Sequence, residues 1–243
     1  MSCHQVSDSF FQLKLEPDAE YDVTITDPPF SAHVQSNLCS GSLVGTKAVP
    51  KYELKFDPVT QFEWVKDLVR ITKRWCLIWC SVEDFGHILD AVGRPTYVRG
   101  GLVYKGNSMG QLTADRPATA YEGIAILHAP TVKKRWNGRG SYAIWKCNGT
   151  RGLKGRHPNE KHIDICLKMV SLFSDRGETV FDPFCGSGAI GEAAIRLGRN
   201  YVGWDQDPEW AYKANMRLAS DLDTVTDEHA LSLCRMKDAV AVK

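Results

Sequence analysis

Apolar positions along the chain recur in two periods, and the changes between them mark the elements. Tyr21–Thr26 (YDVTIT) alternates and is rich in β-branched residues, which predicts a strand. Phe62, Val65, Leu68, Val69 and Thr72 recur at helical spacing, and Arg74–Cys80 (RWCLIWC) is an apolar run suited to a buried parallel strand. A helix over about Val82–Val92 ends at Gly93-Arg94-Pro95, and Gly101–Tyr104 and Gly123–His128 read as two further strands. Ile163, Cys166, Leu167, Val170 and Phe173 form one apolar helix face. Thr179–Ala194 (TVFDPFCGSGAIGEAA) reads as a strand, a glycine-rich turn and a helix. Ile190, Ala193, Ala194 and Leu197 repeat in that helix until Gly198 stops it, and Asn200–Trp204 is the next short strand. Strands alternating with helices predict an α/β fold, Rossmann-like, with a doubly wound and mostly parallel sheet.

The turn Gly186-Ser187-Gly188 is a candidate ligand cradle. Glycine lets a ligand approach the backbone closely, and the helix N-terminus offers free N–H groups to a negative charge. Asp205 closes the second strand, seventeen residues past Gly188, where a carboxylate accepts both hydroxyls of a ribose. GSGAIG also satisfies the dinucleotide pattern, so a nicotinamide or flavin cofactor is a rival, and a plain glycine-rich connection is the bland alternative. Only 38 residues follow Asp205, too few to complete an open sheet. The missing strands must come from the N-terminal half, so the unit that is first in space is late in sequence.

The strand Tyr21–Thr26 ends in Asp27-Pro28-Pro29-Phe30. Two prolines fix φ and hold the Asp27 side chain, the Pro28 carbonyl and the Phe30 ring in a rigid cluster at the strand's carboxyl end, where open α/β sheets place their ligands. An ordinary Pro-Pro turn with a solvated aspartate is the alternative for this tetrapeptide taken alone.

With 243 residues the chain is long enough for one α/β domain with insertions, and its net charge of +1 points to no partner. Its eight cysteines form no CxxC pair, which favours reduced thiols over a metal site. The N-terminal MSCHQVSD has no apolar signal region and no run of about 18 apolar residues occurs, so a soluble, cytoplasmic protein is expected, with no membrane partner. Residues 31–57 are polar and without periodicity; they read as a mobile loop after the Pro-Pro turn, or as disorder. Residues 131–156 carry eight lysines and arginines and no acidic residue, interleaved with Trp136, Tyr142 and Trp145. Such a segment suits phosphate and base contacts, the alternative being a solvated basic loop. Its candidate contacts are Lys133, Lys134, Arg135, Trp136, Arg139, Lys146, Arg151, Lys154 and Arg156.

Taken together, these motifs resemble the S-adenosylmethionine-dependent amino-methyltransferases of DNA, which act on N6 of adenine or N4 of cytosine. DPPF resembles their catalytic (D/N/S)PP(Y/F/W) motif and FDPFCGSG their cofactor motif FxGxG. The order, catalytic motif first, is similar to that of the circularly permuted β class. His157-Pro158-Asn159-Glu160-Lys161 is similar to the HPxxKP segment of that class, with His162 in place of the last proline, and the Lys105 to Glu122 region resembles a further family segment. The resemblance implies transfer of a methyl group from S-adenosylmethionine to adenine N6 in a base flipped out of duplex DNA, with Asp27, Pro28, Pro29 and Phe30 at the reacting amino group. It implies that Phe184, Gly186 and Gly188 surround the methionine portion of the cofactor and that Asp205 holds the ribose. Asp8 and Ser9 would lie near the adenine, His157 and Asn159 near the carboxylate, and Asp182, Ser187 and Asp27 beside them, with Cys185 a small neutral filler. It places target recognition at 131–156 and suggests a homodimer. An N4-cytosine enzyme and a non-catalytic DNA-binding subunit are the alternatives.

Overall fold

The computed structural model describes residues 2–29, 43–44, 47–48, 61–106, 117–147 and 160–235. In chain order the elements are β1 (Ser2–Gln5), α1 (Ser9–Leu15), β2 (Val23–Thr26), β3 (Leu43–Val44), β4 (Lys47–Ala48), α2 (Trp64–Arg70), β5 (Trp75–Cys80), α3 (Phe85–Val92), β6 (Tyr97–Lys105) and β7 (Tyr121–His128). They continue as β8 (Ile144–Cys147), α4 (Ile163–Phe173), β9 (Thr179–Asp182), α5 (Ala189–Arg196), β10 (Asn200–Asp205), α6 (Pro208–Leu218) and α7 (Asp227–Ser232). Eight strands form one sheet in the order β1-β10-β9-β2-β5-β7-β6-β8, and β3 and β4 pair separately as a hairpin. Among the described strands of the sheet, only β7 runs against its neighbours. The two strands latest in sequence, β9 and β10, lie between β1 and β2, the two earliest, so the expected permutation is present.

The central strands are apolar on both sides because helices cover both faces. Trp75, Leu77 and Trp79 of β5 join one cluster with α4 and α5, while Cys76 and Ile78 join the other with Leu13 of α1, Trp64 and Leu68 of α2 and Ile88 of α3. The N-terminal end of α4 is capped by the His162 ring, which accepts from the Asp164 N–H at 3.2 Å. Arg199 is buried, where it pairs with Asp227 at 2.8 Å and donates to the Ser174 carbonyl at 2.7 Å.

Among the elements absent from the sequence expectation are β1, α1 and β8. β1 is an edge strand with only Cys3 buried, so it carries no alternation to detect. α1 is short, capped by Asp8, which accepts from the Phe11 N–H at 3.1 Å, and leaves Phe11 and Leu15 exposed. β8 lies inside the basic stretch expected to form a recognition insertion. Its Trp145 and Cys147 point into the core while Ile144 and Lys146 face out.

The direction of β7 decides where the basic stretch begins. Because β7 is antiparallel, the connection that leaves it starts at the amino ends of the other strands, the far end of the sheet from Asp27, Asp182 and Asp205. Arg135 pairs there with Asp175, its carbonyl accepts from Trp75 Nε1 at 2.5 Å, and the Asn137 N–H donates to the Leu172 carbonyl at 2.8 Å. Lys133, Lys134, Arg135, Trp136 and Arg139 therefore do not share one surface with the strand ends that carry the motifs. Trp136 packs on Phe173 at 5.7 Å and donates to the Arg139 carbonyl, so its ring is directed inward. Lys146, on β8, is at the motif end. Arg151, Lys154 and Arg156 lie outside the described residues, as do most of 31–57.

Candidate active site

The carboxyl ends of β2, β9 and β10 bring Asp27, Asp182 and Asp205 together. The loop after β9 is held against the sheet by the Cys185 N–H, which donates to the Trp204 carbonyl at 2.7 Å, and by the Gly186 N–H, which donates to Asp205 Oδ2 at 2.8 Å. Gly186 has φ +48° and Gly188 φ +77°, the left-handed region in which a Cβ is strained. A Cβ built on Gly186 would meet no atom within 4 Å, so the backbone there borders open space. One on Gly188 would stand 3.1 Å from the Ala214 Cβ, which fixes how closely α6 approaches. The other Asp205 oxygen accepts from the Asp207 N–H at 2.9 Å. An open backbone turn beside an anchored carboxylate fits the nucleoside and amino-acid parts of S-adenosylmethionine.

Asp182 is buried, accepts from Thr26 Oγ1 at 2.7 Å and from the Phe184 N–H at 3.2 Å, and ties β9 to β2. Burial is the main cause that pushes its carboxyl up to about 7, with Asp27 and Asp205 adding to the rise. A carboxyl protonated in the fold but ionised in the unfolded chain stabilises the fold at low pH, and that stability is lost as pH rises towards the folded value. The unliganded protein is therefore expected to be less stable at about pH 8 than at about pH 5 by roughly 2.5 kcal/mol from this group. Denaturant melts of wild type and Asp182→Asn at the two pH values check this. An equal pH slope in the two proteins would sink the assignment.

Phe184 turns its ring onto Phe10 at 5.0 Å and Trp64 at 5.8 Å. The Cys185 thiol, beside Cys3 and buried, has a pKa held well above its ordinary value first by Cys3 and then by burial, so it is not a thiolate nucleophile. The Val6 N–H donates to the Asp205 carbonyl at 3.0 Å, which brings the chain leading to Asp8 and Ser9 beside the ribose-binding candidate. Asp8 is exposed at the α1 cap and Ser9 is buried. Phe30, His157 and Asn159 lie outside the described residues.

Two residues that sequence reasoning did not single out join the motifs. Glu160 Oε2 accepts from Ser187 Oγ of the glycine-rich loop at 2.7 Å and pairs with Arg217 at 3.3 Å. Lys161, its neighbour, places Nζ 2.6 Å from Asp27 Oδ2 and 3.7 Å from Glu122 Oε2, with Glu122 also paired to Lys105. Their sequence signal was the HPNEK segment itself. Burial opposes the Lys161 charge, but Asp27 and Glu122 outweigh it and raise its pKa above the ordinary value. Burial also pushes Glu122 up, and Lys161 and Lys105 more than reverse that, leaving it below its ordinary value. Asp27 is raised by burial against the pull of Lys161, and its Oδ1 is buried with no hydrogen-bond partner among the described residues. No three His, Cys, Asp or Glu side chains among the described residues converge as a metal site, and no described helix is long and apolar enough to cross a membrane.

Residues 21–216 match the N6_N4_Mtase family model, described as DNA methylase. The chain belongs to this DNA methylase family. Among curated relatives, the methylase is 29% identical to the type II methyltransferase M2.DpnII of Streptococcus pneumoniae over 90% of both chains. It is 22% identical to the type II methyltransferase M.HinfI of Haemophilus influenzae over 93% of this chain and 70% of that one. The fold matches the M1.HpyAVI complex with S-adenosylmethionine at a TM-score of 0.68 and 22% identity, over 90% of this chain and 99% of that one. It also matches the cytosine-N4-specific PvuII DNA methyltransferase at 0.67 and 14% identity, over 95% of this chain and 90% of that one. The methylase is thus an amino-methyltransferase of the N6-adenine or N4-cytosine type.

Proposed function

We propose that this methylase transfers a methyl group from S-adenosylmethionine to the exocyclic N6 of adenine in DNA. The observation that carries the reading is the state of Asp27: one carboxylate oxygen is held by Lys161, and the other is buried with no partner among the described residues. Leaving an acceptor in that state costs about 1–3 kcal/mol unless a donor arrives. An aromatic amino group supplies such a donor. Its nitrogen is a weak nucleophile because its lone pair is delocalised into the ring, and acceptors on both N–H bonds localise that pair. Asp27 takes one, the Pro28 carbonyl takes the other, and Phe30 stacks on the ring.

A base inside a duplex does not reach a buried carboxylate, so the target is swung out of the helix. The sulfonium of the cofactor supplies the electrophilic methyl group. Asp27, raised by burial, then accepts the proton that the nitrogen sheds. The resemblance of DPPF to the family motif, with aspartate in its first place, supports adenine over cytosine as the target.

Incubation with methyl-labelled S-adenosylmethionine and unmethylated duplex DNA, followed by digestion and mass spectrometry, tests the reading. Label in N6-methyladenine is expected, label in N4-methylcytosine would correct the base, and absence of label from DNA would overturn it. Asp205→Ala is expected to weaken S-adenosylmethionine binding by about 100-fold, from two lost charge-assisted hydrogen bonds. Calorimetry reads this directly, and an unchanged affinity would remove Asp205 from the ribose.

A further inference from the structure

Trp75, Leu77 and Trp79 of β5 point to the face of the sheet covered by α4 and α5, as do Val23 and Ile25 of β2. Residues two apart on a strand share a face. The register of β2 on β5, carried one step beyond Thr26 and Ile78, therefore sets Asp27 beside Trp79 on that same face. The Lys161 contacts agree: its Nζ stands 2.6 Å from Asp27 Oδ2 and 6.0 Å from the centroid of the Trp79 ring. The indole N–H of Trp75 donates to the Arg135 carbonyl, the normal state of a buried indole. That of Trp79 is different: the residue is 2% exposed, and its Nε1 is buried with no hydrogen-bond partner among the described residues.

Lys161 cannot satisfy that indole, because an ammonium and an indole N–H are both donors. Asp27 Oδ1 is an acceptor, yet it too is buried without a partner among the described residues. A donor and an acceptor thus stand unused on neighbouring strands, both next to Lys161. One planar group answers both if it carries an N–H and a lone pair side by side. We infer that Trp79 Nε1 donates to the ring nitrogen beside the reacting amino group of the target base, so that Asp27 and Trp79 read one edge together. The inference rests on the base-methylation reading above and adds how the site selects an amino base. Adenine offers N6–H with a lone pair on N1 or N7, and cytosine offers N4–H with a lone pair on N3. Thymine and guanine would set a carbonyl oxygen against the Asp27 carboxylate, and their ring N–H against the indole. That reversal leaves buried polar groups unpaired, which is how a polar pocket rejects a ligand of similar shape.

The test replaces Trp79 with 3-benzothienylalanine, which keeps the bicyclic shape but has sulfur in place of the N–H, and separately makes Trp79→Phe. The quantity read is kcat/KM on the duplex site located by methyl labelling, with adenine, 1-deazaadenine or 7-deazaadenine as the target base, or 3-deazacytosine if the label falls on cytosine. Wild type is expected to lose about tenfold with one of the two deazaadenines, or with 3-deazacytosine, and the benzothienyl variant about tenfold on the natural base. The deaza loss is expected to vanish in that variant, because the N–H and the ring nitrogen form a single bond. Unliganded, the benzothienyl variant is expected to keep the wild-type melting temperature and S-adenosylhomocysteine affinity, since the donor it lacks had no partner to lose. Trp79→Phe is expected to show the same non-additivity at a lower melting temperature, from lost packing. Losses that simply add, or a wild-type kcat/KM in the benzothienyl variant, would overturn the role of Trp79 and leave the methylase reading intact. Wild-type protein that labels no base in DNA would overturn both.

Discussion

Asp27→Ala is expected to lower the rate of methyl transfer by about 10³-fold or more while leaving S-adenosylmethionine affinity within a few-fold of wild type. The rate loss follows from the loss of the acceptor that localises the amino lone pair and takes the proton, a contribution made only as the nitrogen reacts. Cofactor affinity persists because the turn at Gly186 and the Asp205 carboxylate stand on β9 and β10, anchored by bonds that do not involve Asp27. The variant also leaves Lys161 with Glu122 as its remaining anion among the pairs described, so a lower melting temperature is expected. Asp27→Asn separates the two effects. It keeps an oxygen for Lys161 and the size of the side chain but cannot accept a proton at neutral pH, so it is expected to recover stability without recovering the rate. Single-turnover measurements with saturating cofactor check the prediction, and a wild-type rate in either variant would sink the mechanism.

The parts of the site carried by backbone rules were legible in the sequence. Proline fixes φ wherever it occurs, so the strand ending at Asp27 was predictable; glycine between a strand and a helix permits positive φ, and Gly186 and Gly188 have it. The late position of the turn, with too few residues behind it, was enough to infer the permuted order. Facts that depend on strand direction were not legible. The basic stretch reads as one segment, yet the antiparallel β7 sends Lys133–Arg139 to one end of the sheet and β8 returns Lys146 to the other. Nor does composition tell a base-stacking tryptophan from a core one: Trp145 is 2% exposed, and adding a Cβ to Gly101 would bring it within 2.8 Å of that ring. β1 was missed because an edge strand four residues long buries one side chain.

Lys161→Met is expected to have the second large effect, and its origin is electrostatic. Lys161 is the cation between Asp27 and Glu122, and its side chain is 9% exposed. Removing it leaves two partly buried carboxylates near one another, a loss expected to cost about 3–5 kcal/mol of stability. Lys105 still pairs with Glu122, so the larger change falls on Asp27. Burial already raises the Asp27 carboxyl and Lys161 is the main influence that lowers it, so without the lysine its pKa moves further up. Activity needs the ionised form. The acid limb of the rate profile is therefore expected to shift to higher pH by about one unit or more, with much of the rate recovered in alkaline buffer. A merely structural role for Lys161 would lower the rate at every pH without moving the limb. The double variant Lys161→Met/Glu122→Gln sharpens the distinction: neutralising Glu122 removes one of the two repelling carboxylates and is expected to restore part of the stability, while the limb stays displaced because Asp27 still lacks its cation. A profile of unchanged midpoint in Lys161→Met would mean that Asp27 does not take up the proton.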